Sequence, residues 1–240
     1  MTDTLQAIAR SLSNDVQTLS TISHNVANMH TPGYRGVRAI PEFNVSGVDP
    51  QTVAGTAAEL RSGTGLSTAI DQRDGVLAQT GNDLDIALRG PGFFVVERDG
   101  RHLLSRAGAL RTDAEGRLVT ASGDVAVGYS GALQMPAGKV RFERDGQVFV
   151  ADQAVGQLQI VAVADASRLH PVGNGAYAYD GDLVEWKGSV VQGAIERANV
   201  DAAEETVRLM ETTRHAESVQ RAISIYDKAM DTGINQIGGN

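Results

Sequence analysis

At 240 residues, with 42% hydrophobic and 21% charged residues, the chain has room for one or two domains with an adequate core and is too apolar to be disordered. Its formal net charge of −8, with no Lys/Arg stripe, argues against nucleic acid as a partner. There is no cysteine, which excludes disulfides and thiolate chemistry, and no apolar run approaches the roughly 18 residues of a membrane-spanning helix.

Met1 to Met29 has the period of a long amphipathic helix. Leu5, Leu12, Leu19 and Val26 recur every seven residues, and Ile8, Ile22 and Met29 form a second column with Val16 beside it. Asp15 interrupts that second column at its middle. The stripe stops at His30-Thr31-Pro32-Gly33-Tyr34, where Pro32 disfavours helical geometry at Thr31 and Gly33 supplies a turn. A helix of about 25 residues reaches roughly 37 Å, too far for a small domain to cover its apolar face, so a partner helix is expected. The segment is amphipathic rather than a basic stretch followed by an apolar one, which argues against a secretory signal.

The matching stretch lies at the other end. Asn199 reads as an N-cap, and Asp201, Glu204 and Glu205 place negative charge in the first turns, where the helix dipole favours it. Leu209, Ala216, Ile223, Met230 and Ile237 then recur every seven residues, with Val219 and Tyr226 in the adjoining column. Two ordinary amphipathic helices packed on a central domain would give the same pattern. Two such heptad helices at opposite termini predict pairing with each other and with neighbouring subunits, and place both termini on one side.

Between the helices the texture changes twice. Residues 37–65, punctuated by Pro41, Gly47, Pro50, Gly55 and Gly63, read as an extended linker with a short strand near Phe43-Asn44-Val45. From Leu66 onward short apolar runs alternate with Gly- and Asp-rich turns: 84–88, the dense run Phe93-Phe94-Val95-Val96, 103–104, 117–120, 125–127, 140–142, 148–150 and a single alternating strand over 155–163. The phrase Glu-Arg-Asp-Gly occurs at 97–100 and at 143–146, and two similar hairpin turns explain it. Residues 171–188 read as a loop and strand returning to the sheet, and Val190 to Gly193 leads into the last helix. The expected fold is α+β: terminal heptad helices pairing into a coiled-coil-like element (1–36 and 199–240), the linker (37–65), and a central antiparallel all-β domain (66–198).

Chemistry is sparse. His24, His30, His102, His170 and His215 have no metal-ligand spacing. Asp83 with Asp85, two apart, and Asp71 with Asp74, three apart, could serve as paired carboxylates, but they flank a turn and a strand entry and read as solvated loop charges. Arg89-Gly90-Pro91-Gly92 lacks the Lys-Ser and following helix of a phosphate loop, and Asp113-x-Glu115-Gly116 lacks the remaining ligands of a calcium loop. No catalytic, cofactor or metal site is expected, and the chain reads as a non-enzyme.

Three blocks carry a resemblance. Asn25 to Arg35 (Asn-Val-Ala-Asn-Met-His-Thr-Pro-Gly-Tyr-Arg) resembles the N-terminal signature of the bacterial flagellar rod and hook proteins. Gly81 to Val95, followed by Ser105-Arg-Ala-Gly108, Asp113 to Thr120 and Ser122-Gly123, is similar to that family's central motif. Gln192 to Asp201, Glu204-Glu205 and the closing heptads match its C-terminal signature. The resemblance implies a structural subunit that passes unfolded through the flagellar type III export apparatus without a cleaved signal. It implies assembly, with copies of itself and neighbouring rod proteins, into a helical tube in the periplasmic rod. No cofactor and no membrane insertion are implied. By this analogy Leu5, Ile8, Leu12, Leu19 and Ile22 pack in the N-terminal helix. Asn25, Asn28, Thr31, Gly33 and Tyr34 shape its exit, and Asn199, Leu209, Val219, Ile223, Tyr226 and Met230 serve the C-terminal helix. His30, Met29 and Arg214-His215 depart from the usual pattern, the last standing where an aromatic is expected. The compact length favours the one-domain rod members, proximal rod ahead of distal. Two readings of other classes remain: a secreted β-domain binding module on a coiled-coil stalk, and a hydrolase using Asp83 or Asp85.

Overall fold

The computed structural model describes residues 2–41 and 66–237. The expected strand at 43–45 and most of the expected linker lie outside the described residues. In chain order the elements are α1 (Thr2–Asn28), β1 (Val37–Pro41), β2 (Leu66–Ile70), β3 (Leu77–Gln79), β4 (Ile86–Arg89), β5 (Phe93–Arg98), β6 (Arg101–Ser105), β7 (Leu110–Thr112), β8 (Leu118–Thr120) and β9 (Val125–Gly128). They continue with β10 (Gly131–Ala132), β11 (Val140–Phe142), β12 (Gln147–Val150), β13 (Gln153–Gln157), β14 (Ile160–Val163), β15 (Leu169–Pro171), β16 (Ala176–Tyr179), β17 (Leu183–Glu185), β18 (Ser189–Gln192), β19 (Ala194–Glu196) and α2 (Ala202–Ile237). The fold is α+β, with two helices and a mostly antiparallel β domain. The described residues divide into two compact units: 2–24, 37–41, 66–69 and 202–237 form the first, and 25–36 with 70–201 the second.

In the first unit the helices tolerate mid-helix hydroxyls because these bond back to their own backbone. Thr18, Thr21 and Ser23 donate to the carbonyls four residues earlier, as do Thr206, Thr212 and Thr213. On α1 the more buried column is the one that contains the aspartate. Ile22 is 4% exposed and Asp15 8%, Ile8, Leu12 and Leu19 are half-buried, and Val26 and Val16 are open to solvent. On α2 the covered stripe runs through Thr212, Ala216, Val219, Ile223 and Tyr226. Leu209, expected in that stripe, is 42% exposed. It stands about 60° round the helix from Thr212, at 100° per residue, and so falls outside the covered arc. Arg38 of β1 pairs with Glu204 at 3.3 Å, and Gln17 Nε2 donates to the Leu66 carbonyl at 2.9 Å.

The second unit is a β domain whose strand pairs are all antiparallel among the described residues. Its largest sheet runs β15-β16-β6-β5-β9-β8-β7, with β14 on β5 and β17 on β14. The continuous run Phe93-Phe94-Val95-Val96 is central because it is buried on both faces. Phe94 and Val96 join a core with Ile86, Leu88, Leu118 and Val148. Phe93 and Val95 face the other way, onto Ile70, Leu104, Val127, Leu169 and Tyr177.

The stretch 155–163, expected as one strand, is two. β13 pairs with β12, whereas β14 pairs with β5 and β17. Between them the Leu158 and Gln159 amides bond the carbonyls of Gly146 and Val127, so the backbone changes sheets at this point. The repeated Glu-Arg-Asp-Gly phrase also makes two different turns. Asp99 and Gly100 are both left-handed (φ 52° and 73°), a tight two-residue hairpin, whereas at 143–146 only Gly146 is (φ 88°). Ala151 and Asp152 make a third such turn without glycine, at φ 49° and 63°.

Candidate functional site

The residues that end α1 and those that precede α2 meet in the second unit. After Asn28 the chain turns through Thr31, whose amide bonds the Asn28 carbonyl at 2.9 Å and whose hydroxyl donates to Asn28 Oδ1 at 3.3 Å. Gly33 adopts φ 71°, and a side chain there would run into the backbone of Arg106 and Ala107. Its amide instead bonds the Glu196 carbonyl at 2.8 Å. Tyr34 folds back so that its hydroxyl donates to Asn25 Oδ1 at 3.1 Å, both residues being buried. Asn199 is no N-cap, because α2 begins at Ala202 and its side chain is used elsewhere. Its Oδ1 accepts from the Gly36 amide at 2.7 Å, its Nδ2 donates to the carbonyls of Asp71 and Arg73, and its amide bonds the Tyr34 carbonyl at 3.2 Å.

Beside this clasp lies a buried cluster of four charges. The Arg35 side chain is 3% exposed, that of Arg106 0% and that of Glu196 2%, with Asp74 at the rim. Arg35 reaches Asp74 at 2.7 Å and Arg106 reaches the same oxygen at 3.0 Å. Arg106 Nε lies 2.7 Å from Glu196 Oε2 as a charge contact rather than a directed hydrogen bond. Two positive and two negative groups cancel, and backbone completes the shell. Arg106 donates to the carbonyls of Gly90 and Gly92, Arg35 to that of Gln72, and the Gly75 amide to Glu196 Oε1. The Arg35 guanidinium also stands 5.6 Å from the centre of the Phe93 ring, which meets Tyr177 edge-on. Burial pulls the Arg106 guanidinium below its ordinary value, yet arginine starts so high that it stays charged. Burial likewise pushes the Tyr177 phenol up, so it stays neutral and accepts the Arg35 amide at 3.0 Å.

The cluster binds parts of the chain to one another and offers no reacting group. The nearby concavity of about 210 Å³, lined by Thr31, Pro32, Ala107, Ala109, Ala121, Ser122 and Asn174, has no titratable side chain. A second, of about 410 Å³, carries exposed charges of both signs: Asp83, Lys139, Arg141 and Asp152. Among the described residues no group of His, Asp and Glu is arranged to hold a metal. Asp85 is held by Asn82.

Arg35, Arg106 and Glu196 each belong to a different one of the three sequence blocks, so motifs up to 161 residues apart in the chain build one junction. Family models agree with that division. The flagellar hook protein FlgE/F/G D1 domain matches residues 87–150, and the flagellar basal body rod FlgEFG protein C-terminal region matches 191–237. A flagellar basal-body rod protein FlgG of Agrobacterium fabrum is 32% identical over 238 residues, 88% of this chain and 90% of its own. The chain belongs to the flagellar rod and hook family. Other members are a FlgG of Buchnera aphidicola, 29% identical over 88% of this chain and 91% of its own, and a FlgF of Caulobacter vibrioides, 26% identical over 92% and 91%. This is a family of structural basal-body proteins, and the chain is no enzyme.

Within the family frame, Asn25, Gly33, Tyr34 and Asn199 come together at the junction, with Asn28 and Thr31 on its edge. Ile8, Leu12, Leu19 and Ile22 lie on α1 and Leu209, Val219, Ile223 and Tyr226 on α2, away from it in sequence. The side chains of Leu5 and Met230 lie outside the described residues. The sequence reading missed Arg35, Arg106, Asp74 and Glu196 as a group, although three of them stood inside the motifs it quoted.

Proposed function

We propose that the chain is a subunit of the flagellar rod, exported by the flagellar type III apparatus and polymerised in the periplasm as part of the helical drive shaft that transmits torque. Its partners are other copies of itself and neighbouring rod proteins. Residues 1–36 and 199–240 act as the assembly domain, with α1 and α2 packed as a coiled-coil-like pair, 37–65 as linker and 66–198 as the β domain. The observation that carries this reading is that α2 has apolar residues on two sides. Val219, Ile223 and Tyr226 lie in its covered stripe, while Val207, Met210 and Ile225 are 49%, 50% and 68% exposed on the opposite side. Apolar side chains opposite the covered stripe favour burial against a second surface.

Within the rod, the compact length and short stretch between Tyr34 and Leu66 favour the proximal part, where FlgF would stand. The FlgG relatives at 32% and 29% identity favour the distal part. Electron microscopy of purified hook–basal bodies carrying a tagged copy separates the two positions. For assembly itself, Leu12→Asp and Ile223→Asp each put a carboxylate into a helical seam. Both variants are expected to keep a folded β domain and to lose rods and motility. Normal rods in either one would sink the paired-helix reading.

A further inference from the structure

We propose that Asp15 and His215 are the register-setting pair of the terminal helices, fixing the alignment in which this chain's α1 meets its own α2. The inference rests on the paired-helix reading above and adds the contact that aligns the pair. Asp15 is a buried carboxylate in a column otherwise formed by Ile8 and Ile22, and His215 stands beside the covered stripe of α2. In the structure they face each other: His215 Nδ1 lies 2.9 Å from both Asp15 Oδ1 and Asp15 Oδ2. The aspartate side chain is 11% exposed and the histidine 56%, so the carboxylate is largely withdrawn from water while its partner reaches in from the edge.

An apolar heptad stripe specifies a helix partner poorly, because sliding by seven residues brings apolar groups back against apolar groups. A single buried polar residue in the stripe removes that degeneracy. Slid one heptad along α2, Asp15 would face Ala222 in one direction and Arg208 in the other. Ala222 offers no hydrogen bond, leaving a desolvated carboxylate unpartnered. Arg208 already bonds Glu204 at 2.9 Å and lies 3.8 Å from Glu205 on its own helix, so recruiting it would give up those contacts, although Glu204 would keep Arg38 at 3.3 Å. The observed alignment pairs Asp15 with His215 and leaves Arg208 to the acids of its own helix.

The test uses the full-length chain in motile cells, where its lack of native cysteine makes any disulfide an introduced one. Ile22→Cys is combined with a cysteine scan along 205–226, and oxidised products are resolved as intrachain or interchain. With Asp15 and His215 intact, intrachain crosslinking is expected at positions within one helical turn. In Asp15→Leu/His215→Leu it is expected to spread to positions seven residues away, rising there at least tenfold. The swapped pair Asp15→His/His215→Asp should return it to one turn. A pattern unchanged in the double-leucine chain, or a swap as disordered as that chain, would overturn the proposal, as would crosslinks found only between chains. Unchanged fluorescence of Trp186, the single tryptophan, certifies that each variant keeps its β domain. Absence of the wild-type chain from basal bodies purified from the same cells would instead count against the rod reading, leaving the crosslink map interpretable.

Discussion

The junction around Arg106 and the outer length of α2 represent two opposite ways of using charge and apolar surface. At the junction three buried ionised groups, with Asp74 at the rim, are surrounded by carbonyls, amides and an aromatic ring of the same unit, although Arg35 Nε, and the Arg106 Nε and Glu196 Oε2 that face each other, make no directed hydrogen bond. Along α2, Val207, Met210 and Ile225 remain in solvent and the covered stripe is only half-buried. One region is finished by its own chain, whereas the other leaves apolar side chains exposed among the described residues, as the proposed rod assembly requires. A mutation should therefore register in folding at the first and in assembly at the second.

The sharpest way to break that contrast is at Arg106. Arg106→Ala removes the nearer cation of buried Glu196 and leaves it only Arg35 at 3.9 Å, and removing one partner of a buried pair costs on the order of 3–5 kcal/mol. Denaturant unfolding followed by Trp186 fluorescence should reveal that loss, and a change below about 1 kcal/mol would mean the cluster is not holding the β domain together.

A milder probe is acid. Arg98 grips Asp124 through two bonds of 2.6 and 2.7 Å, and that hydrogen bonding, with Ser122 and Thr120, holds the Asp124 carboxyl below the usual carboxylate range. A depressed folded-state value contributes stability that is present above the unfolded value of about 3.9 and is lost as pH falls through the folded one. The β domain should weaken on acidification below about pH 4, and Asp124→Asn should flatten that part of the profile. An identical slope in the variant would remove Asp124 from the account.

The smallest effect is a gain. Ala151 sits at φ 49°, which costs a non-glycine residue roughly 1 kcal/mol. Ala151→Gly should raise the β domain's unfolding free energy by up to about that amount and leave rod incorporation untouched.

Legibility in the sequence follows the same division. Alternation along 84–150 was readable because burial on one face of a sheet prints itself at a period of two, and the dense run at 93–96 because a strand buried on both faces is continuously apolar. The heptads marked both helices for the same kind of reason. The charge cluster was unreadable, since positions 35, 74, 106 and 196 are far apart in the chain and no local pattern links them. A lone arginine reads as solvated, and only the fold reveals that two of them share two acids. Asn199 misled for a related cause: its side chain type suits a cap, but three backbone groups elsewhere in the unit had the stronger claim on it. The misplacement of Leu209 has a plainer origin, an arc of the helix narrower than the heptad column assigned to it.

The clasp between residues 33–36 and the strand leading to α2 also has a mechanical meaning. The Gly33 amide on Glu196, the Asn199 amide on Tyr34, the Arg35 amide on Tyr177 and the Gly36 amide on Asn199 fasten successive residues of one short segment. A pull along that segment loads these fasteners together rather than peeling them one by one. Such a seam should open as a unit rather than bond by bond.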